Sequence, residues 1–195
     1  MSSFTIHTVE TAPENARPAL ERAAKAYGAV PNLIGILAEA PVAVEAYQAL
    51  GNLVKLSSFT PTERTVVWQT LNAYHNCEYC MAAHTTIAHT EKIDQAVIET
   101  ARNVGSYDDP RLEALRVFTL TLADKRGWAE DHEVDAFLAA GFTRQNILEV
   151  ITTIAQKVMS NYTNHLAKTP VDDGFAKHEW KHPNPRQEAA EAVAG

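Results

Sequence analysis

The sequence predicts an all-α fold, and three observations support this prediction. Apolar residues recur at intervals of three and four along most of the chain, which is the spacing of one helix face. Threonine or aspartate followed by proline, a typical helix start, precedes two of these runs. No segment shows a convincing strand pattern, because short β-branched clusters such as Val66-Val67 lie within stronger helical patterns.

Three helices are expected in the first third of the chain, and each starts close to a proline, which is favoured in the first helical turn. The prolines are Pro18, Pro31 and Pro41. Gly28 can close the first helix as a C-cap, and Pro41 ends the second because the residue before a proline avoids the helical conformation. The apolar stripes of these helices are Leu20, Ala24 and Tyr27, then residues 33–38, then Val44, Tyr47, Leu50 and Val54.

Three consecutive helices are expected in the middle of the chain, and the first begins with a capping box. In Thr60-Pro61-Thr62-Glu63, the threonine is the N-cap, the proline is the first helical residue and Glu63 is the third. Asn76 can end this helix and cap the next one, which contains both cysteines. Thr90 precedes the third helix. The apolar residues of the first and third helices are Val67, Leu71 and Tyr74, then Ile93 and Val97.

The remaining helices also start at capping residues. Asp109-Pro110 supplies an N-cap followed by a proline, and the helix after it can end at Gly127. A short helix ends at Gly141, and Thr143 caps the last long helix. The three apolar faces are Leu112, Leu115, Phe118 and Leu122; then Val134, Phe137 and Leu138; then Ile147, Ile151, Ile154, Val158 and Tyr162.

These helices, about eight in number, are expected to form one domain over residues 1–175, possessing two loosely similar helical halves. Residues 60–84 and 143–165 each begin at a capping threonine and end near a histidine. Residues 176–195 contain Pro183 and Pro185 and then an Ala/Glu-rich end. We therefore expect a C-terminal tail that is partly disordered, with its last ten residues frayed.

Composition and charge exclude several classes of function. The chain has 195 residues, a net charge of −7 and no basic block, which argues against a sequence-independent nucleic-acid binder. No apolar stretch reaches the roughly 18 residues needed to cross a membrane, and Met1–His7 lacks the features of a secretory signal. We therefore expect a cytoplasmic protein, in which thiols stay reduced. In that compartment, a C-x-x-C pair is more typical of catalysis or metal binding than of a structural disulfide.

Cys77, Cys80 and His84 form the candidate site. With Asn76 as N-cap, Cys77 is the first helical residue and Cys80 the fourth, where free N–H groups and the helix dipole favour a thiolate. Cys80 and His84 are four residues apart on one helix face, so His84 can accept or donate a proton. Cys77 lies three residues before Cys80, so a disulfide between them is geometrically reasonable.

Three interpretations of this motif are open. In redox catalysis, one thiolate attacks a peroxide and becomes a sulfenic acid, the second thiol condenses with it to a disulfide, and an external dithiol reduces the disulfide. In metal binding, Cys77, Cys80 and His84 supply three zinc ligands. In simple packing, the cysteines are small buried hydrophobes and the histidine is a core residue. We favour redox catalysis, because the packing interpretation leaves the spacing to chance and a C-x-x-C on a continuous helix is an awkward zinc site.

The residues around this motif resemble the alkylhydroperoxidase D-like branch of the carboxymuconolactone decarboxylase family. The matching parts are Glu63-Arg64 with the helix that follows, Asn76-Cys77-Glu78-Tyr79-Cys80 with Ala82-Ala83-His84, Pro31-Asn32-Leu33, Ala40-Pro41 and residues 161–165. The similarity spans about residues 15–175. It implies a multihelical AhpD-like fold, association into homotrimers or homohexamers, and a thiol-dependent peroxidase that reduces alkyl or organic hydroperoxides. The implied reductant is a dithiol or a lipoylated protein.

By this resemblance, Cys80 is the peroxide-reacting cysteine, Cys77 its resolving partner and His84 a member of the proton relay. Neither a cofactor nor a metal is expected. The family's relay glutamate stands twelve residues before the first cysteine, where this chain has Thr65. Glu63 is an auxiliary candidate, although it lies two residues earlier, roughly 200° around the helix, and also fits the capping box. His165 is the other auxiliary candidate, together with Asn161, because both extend the apolar face of the last helix.

Two other functions stay open. The wider family is named for a decarboxylase that acts on a muconolactone-type acid, and this reaction has no need of paired thiols. A non-enzymatic thiol sensor or a zinc-stabilised oligomer would use the C-x-x-C pair without turnover.

Overall fold

The computed structural model describes residues 4–184, and within this range the chain is helical and contains no strand. The nine α-helices of this range are α1 (Arg17–Tyr27), α2 (Asn32–Leu37), α3 (Pro41–Lys55), α4 (Pro61–Tyr74), α5 (Glu78–Thr90), α6 (Gln95–Arg102), α7 (Pro110–Asp124), α8 (Asp131–Ala139) and α9 (Arg144–Ala167). Two 3-10 helices, Glu14–Ala16 and Asp173–His178, precede α1 and follow α9. The predicted all-α fold is confirmed.

Most helix ends lie at the predicted residues. Thr60 Oγ1 accepts a hydrogen bond from the Glu63 N–H at 3.2 Å, and Glu63 Oε2 accepts from the Thr60 N–H at 2.8 Å, which completes the predicted capping box of α4. Gly28 ends α1 with φ of 82°, a left-handed conformation that glycine adopts without strain. The start of α6 lies later than expected: Thr90 is the last residue of α5, Ile93 lies between the two helices, and the Asp94 side chain caps α6.

α4 is the central helix of the fold. It packs against α5, α6, α7 and α9, and it is buried on nearly all sides. On one side, α1, α2, α3 and the start of α5 enclose an apolar core that includes Leu20, Val44 and both cysteines. On the other side, residues of α4, α7, α8 and α9 enclose a second core, in which Phe137 stacks on Phe118 with ring centroids 4.1 Å apart. The two cysteines therefore belong to the first core, and Cys80 also contacts Asn72 of α4 and Asn164 of α9.

The apolar face of α9 lies partly at the surface. Two residues of that face, Ile151 and Tyr162, are 47% and 51% exposed. The residues that α9 buries are mostly polar: Asn146, Val150, Thr153, Gln156, Lys157, Ser160, Asn161 and Asn164. They are turned inward because α4 and α5 present buried polar groups of their own to this side of α9. Within residues 4–184, neither α9 nor any other helix is both long enough and apolar enough to cross a bilayer.

The likeness between the two halves is limited to their capped starts. Residues 60–84 form two helices with a break between them, whereas residues 144–167 form one continuous helix.

Beyond residue 175, the chain packs against the helices. Trp180 Nε1 donates to the carbonyl of Arg102 at 2.7 Å, and the Arg102 guanidinium donates to the carbonyls of His178 and Glu179. The expected fraying of the last ten residues lies outside the described range.

Candidate active site

The chain breaks between α4 and α5 at Asn76, and this break positions the two cysteines. Asn76 has φ of 52°, a left-handed conformation that asparagine tolerates better than most residues. Because α5 begins at Glu78, Cys77 is its N-cap and Cys80 its third residue, so the predicted assignment with Asn76 as N-cap is wrong by one position. The first hydrogen bond of the helix runs from the Met81 N–H to the Cys77 carbonyl at 2.9 Å. Cys80 therefore still lies in the first turn, where free N–H groups favour a negative charge.

Both thiols are free and almost completely buried. Cys77 is 1% exposed and Cys80 is 2% exposed. Asn164 on α9 directs its side-chain amide at both sulfurs, with Nδ2 at 3.2 Å from Cys80 Sγ and 3.8 Å from Cys77 Sγ. Because a thiolate accepts a hydrogen bond more strongly than a thiol does, the amide of Asn164 favours a charged sulfur at Cys80.

The surroundings give the two thiols opposite acidities. Burial raises the pKa of Cys80, but a hydrogen bond from Cys77 and the positive charge of Lys157 act in the opposite direction. Together with hydrogen bonds from Ser160 and Asn161, they lower the pKa of Cys80 to about 5. The pKa of Cys77 is raised by its hydrogen bond to Cys80 and by burial. At neutral pH, Cys80 is therefore the thiolate and Cys77 is the thiol that donates to it.

The positive charge near Cys80 belongs to Lys157, in the middle of α9. Lys157 is completely buried, and its Nζ lies 3.1 Å from Nε2 of His84. No ion pair joins Lys157 to a carboxylate within residues 4–184. An isolated buried ammonium is costly, so we take the Cys80 thiolate as the negative charge that offsets it.

Neither Lys157 nor Asn164 is among the residues predicted from the sequence. The available signal was a polar stripe along the last helix, which recurs at helical spacing through Thr153, Lys157 and Asn164. A polar stripe on a long helix is ordinarily its solvated face. Only the packing of α9 against α4 and α5 shows that this stripe is internal.

His84 is neutral and contacts Lys157. Burial lowers the pKa of His84 well below its ordinary value, and the charges of Lys157 and Lys55 lower it further. Because an ammonium only donates, Nε2 of His84 accepts from Lys157 and Nδ1 carries the hydrogen. This buried Nδ1 has no hydrogen-bond partner among the described residues. The imidazole also packs against Trp68, with ring centroids 4.8 Å apart.

A network of buried amides joins α4, α5 and α9 around the thiols. Asn72 Nδ2 donates to Gln69 Oε1 at 2.8 Å and to the Cys80 carbonyl at 3.2 Å. Asn161, the α9 residue predicted with His165, donates to Asn72 Oδ1 at 3.2 Å. Its own Oδ1 lies 2.8 Å from Nδ1 of His75. The network fixes the position of Cys80 relative to α4 and α9, because each of these helices supplies a partner.

The arrangement of side chains does not support the zinc interpretation. In the part of the chain that the structure describes, no three His, Cys, Asp or Glu side chains converge as metal ligands. Nε2 of His84 is occupied by the Lys157 ammonium, and a cation placed there would be repelled by it.

The auxiliary candidates lie in different places. Glu63 accepts from the Thr60 N–H and, through Oε1, from Arg111 Nε at 2.8 Å, so its partners are at the starts of α4 and α7. Thr65, at the position of the family's relay glutamate, is buried within α4. His165 is exposed near the end of α9, where it lines a cavity together with Cys77. The structure therefore brings His165 close to a cysteine and gives Glu63 a structural role.

Two separate cavities reach the site. The first, of about 190 Å³, lies between α1 and α3 and is closed by Trp68, His84 and Gln156; we call it the His84 cavity. The second, of about 310 Å³, is lined by the start of α5 and the end of α9, including Cys77 and His165; we call it the Cys77 cavity. The two cavities share no lining residue: Cys77 lines the second, whereas the first reaches His84 and is lined by neither cysteine.

Comparison with known proteins identifies the fold. No protein-family model and no curated protein matches the sequence. Among solved structures, the alkylhydroperoxidase AhpD core, an uncharacterized peroxidase-related protein from Ralstonia eutropha, matches with a TM-score of 0.77 and 22% identity over 89% of this chain and 94% of that chain. An uncharacterized peroxidase-related protein from a Silicibacter species matches with a TM-score of 0.72 and 18% identity over 84% and 87% of the two chains.

A third solved structure carries a different activity in its name. It is a Cys-to-Ala variant of the debrominase Bmp8 in complex with 2,3,4-tribromopyrrole, and it matches with a TM-score of 0.73 and 15% identity over 98% of this chain and 97% of that chain. At such identities, the matches establish a shared architecture and not a shared reaction. The resemblance inferred from the residues around Cys77 and Cys80 is confirmed at the level of the fold: the chain has the all-helical architecture of the alkylhydroperoxidase AhpD core and related peroxidase-related proteins.

Proposed function

We propose that the chain is a thiol-dependent peroxidase that reduces organic hydroperoxides, with Cys80 as the nucleophile and Cys77 as the resolving thiol. The observation that carries this proposal is the opposite acidity of the two thiols: the pKa of Cys80 is lowered to about 5 and that of Cys77 is raised. The first step of such a reaction needs a thiolate, and the second needs a thiol that has not yet reacted. The similarity to peroxidase-related structures supports the assignment.

In the first step, the Cys80 thiolate attacks the terminal oxygen of the hydroperoxide. A sulfur–oxygen bond forms as the O–O bond breaks, the sulfur is oxidised to a sulfenic acid, and the organic part leaves as an alkoxide that takes up a proton. Lys157 is suited to stabilise the negative charge and to supply this proton, because it is a buried ammonium whose charge acts on Cys80. His84 accepts from Lys157 and thereby holds the ammonium in place, so we revise its role from direct base to positioning residue.

In the second step, the Cys77 thiol attacks the sulfenic sulfur. A disulfide forms, and the hydroxide that leaves combines with the thiol proton as water. A dithiol, free or on a lipoylated protein, then returns two electrons by thiol–disulfide exchange. We place its attack at the Cys77 cavity, because Cys77 lines this cavity and His165 at its wall can accept the proton of the incoming thiol.

Separate substitution of the two cysteines tests the assignment. Cys80→Ser is expected to abolish the consumption of cumene hydroperoxide in the presence of a dithiol. Cys77→Ser is expected to consume about one equivalent per chain and stop at a sulfenic acid, which mass spectrometry detects after trapping. Glu63→Gln is the matched control for the relay and is expected to retain turnover, because the partners of Glu63 are Thr60 and Arg111.

Two results would contradict the assignment. Unchanged turnover by Cys80→Ser would remove the nucleophile from the mechanism. Release of bromide from a bromopyrrole without consumption of hydroperoxide would assign the thiol pair to the reaction named for Bmp8. In that case a carbon–hydrogen bond replaces the carbon–bromine bond, and the two thiols are oxidised to a disulfide.

We also propose that the protein is a cytoplasmic homo-oligomer, either a trimer or a hexamer. Leu148, Ile151 and Leu166 on α9 are 65%, 47% and 75% exposed, and Leu56 after α3 is 81% exposed. Large apolar side chains grouped on the surface of one helix are typical of a subunit interface. Analytical ultracentrifugation is expected to give a trimer or hexamer of the 21.4 kDa chain, and a monomer would contradict the proposal.

A further inference from the structure

The His84 cavity is positively charged although the chain as a whole has a net charge of −7. Its lining contains Arg22 and Lys55 but no aspartate or glutamate. The charge of Arg22 is offset, because its Nη2 lies 2.7 Å and 2.6 Å from the two carboxylate oxygens of Glu45. Lys55 has no such partner: no ion pair joins it to a carboxylate within residues 4–184. Lys55 is therefore the uncompensated charge of this cavity.

The remaining lining is largely aromatic and apolar. Tyr27, Tyr47 and Trp68 contribute rings to the cavity. The orientation of the Trp68 ring is fixed by a hydrogen bond, in which its Nε1 donates to Gln156 Oε1 at 2.9 Å. Gly51 leaves space for this amide, since a Cβ at that position would lie 3.0 Å from Gln156 Nε2. The indole face is thus a fixed part of the cavity wall.

The volume of the cavity limits the size of a ligand. A cavity of roughly 150 Å³ is enough to hold benzene. The His84 cavity, at about 190 Å³, therefore accommodates one substituted six-membered ring. The cavity reaches the reactive centre through His84, which lines it and contacts Lys157.

We propose that the His84 cavity binds aromatic hydroperoxides that carry a carboxylate, with the ring against Trp68 and the carboxylate paired with Lys55. This inference rests on the proposed peroxidase function and adds a substrate class to it. The ring supplies apolar contact, the ammonium selects the anion, and the hydroperoxide group lies at the His84 wall of the cavity, on the other side of which His84 contacts Lys157.

A pair of substrates that differ only in charge tests the proposal. We suggest cumene hydroperoxide and its analogue with a carboxylate at the para position of the ring. The measured quantity is the ratio of kcat/KM for the charged substrate to kcat/KM for the neutral one. Lys55→Gln is expected to lower this ratio by about fivefold, the upper range for an exposed ion pair, and Lys55→Glu is expected to lower it further. Lys177→Gln, at an exposed lysine of the C-terminal 3-10 helix, is the matched control and should leave the ratio unchanged.

A binding measurement separates this proposal from the peroxidase assignment. Calorimetry with 4-isopropylbenzoate, which has the ring and the carboxylate but no peroxide, is expected to show binding that Lys55→Gln weakens. If neither hydroperoxide is consumed while this binding persists, the peroxidase assignment fails and the anion site stands. If both hydroperoxides are consumed and neither the ratio nor the binding responds to Lys55, the substrate class is refuted and the peroxidase assignment stands.

Discussion

Replacing Lys157 with methionine is expected to raise the pH midpoint of Cys80 reactivity above its wild-type value of about 5, because one of the groups that lower the pKa of Cys80 is lost. Methionine keeps the length of the side chain and removes its charge. Burial, which raises the pKa of Cys80, would then act without the opposing ammonium. The wild-type reaction rate should rise with pH through the lower midpoint, because only the thiolate reacts. In Lys157→Met, the same rise should occur at higher pH, while the hydrogen bonds from Cys77, Ser160 and Asn161 still act on Cys80.

The pH midpoint of Cys80 reactivity is a better measure than the reaction rate at one pH. In the variant, less of Cys80 is thiolate at that pH, but a more basic thiolate is also a stronger nucleophile, so the rate falls by less than the thiolate fraction does. The midpoint can be measured by stopped-flow reaction of the reduced protein with hydroperoxide across pH, or by alkylation of Cys80. Lys25→Met, which removes an exposed charge at the end of α1, is the matched control. An unchanged midpoint in Lys157→Met would show that Lys157 does not set the acidity of Cys80.

The same variant separates a functional role of Lys157 from a structural one. The Cys80 thiolate offsets the charge of Lys157, and once the ammonium is gone Cys80 can take up a proton, so no unpaired charge stays buried and the protein should remain folded. A folded Lys157→Met whose Cys80 reacts at higher pH than in the wild type is therefore the expected result. Unfolding of this variant would contradict it.

Asn72→Ala is expected to lower the free energy of unfolding by about 3 kcal/mol, because it leaves several buried groups without partners at once. Asn72 is completely buried; its Nδ2 donates to Gln69 and to the Cys80 carbonyl, and its Oδ1 accepts from Asn161. For a chain of this length, the change corresponds to a decrease in Tm of roughly 6–12 °C. Thermal unfolding at one fixed protein concentration measures it, so that association contributes equally to each sample.

Asn103→Ala is the matched control for this prediction. Asn103 is an exposed asparagine at the end of α6, and its replacement should change the stability by no more than about 0.5 kcal/mol. If Asn72→Ala destabilises the protein no more than Asn103→Ala does, the amide network does not hold α4, α5 and α9 together.

The sequence was sufficient for the helices and for the thiols because both depend on local rules. Thr60 and Gly28 act at the predicted helix ends through hydrogen bonds and backbone conformation within a few residues. The spacing of Cys77 and Cys80 placed both sulfurs at the start of one helix. The error of one residue at Asn76 has a local cause too: its left-handed conformation moves the N-cap to Cys77, which residue types alone do not reveal.

Long-range packing decided the rest of the site. Lys157 lies 73 residues after its partner His84, and Asn164 lies 84 residues after Cys80. No local pattern links positions so far apart, and polar residues at helical spacing on α9 resemble a solvated face. The inward orientation of this face, with Ile151 left at the surface, depends on which groups α4 and α5 present to it.

By itself, then, the sequence determined an all-helical chain with a C-x-x-C pair at a helix start and a histidine one turn later. The tertiary structure alone decided which thiol is the acid, which cation sits beside it and which cavities lead to it. The physical reason is that pKa values, and the charges available to a buried sulfur, depend on the groups that packing brings within a few ångströms. The lowered pKa of Cys80 arises from the hydrogen bond of its neighbour Cys77 and from Lys157, Ser160 and Asn161, which lie on a helix far along the chain.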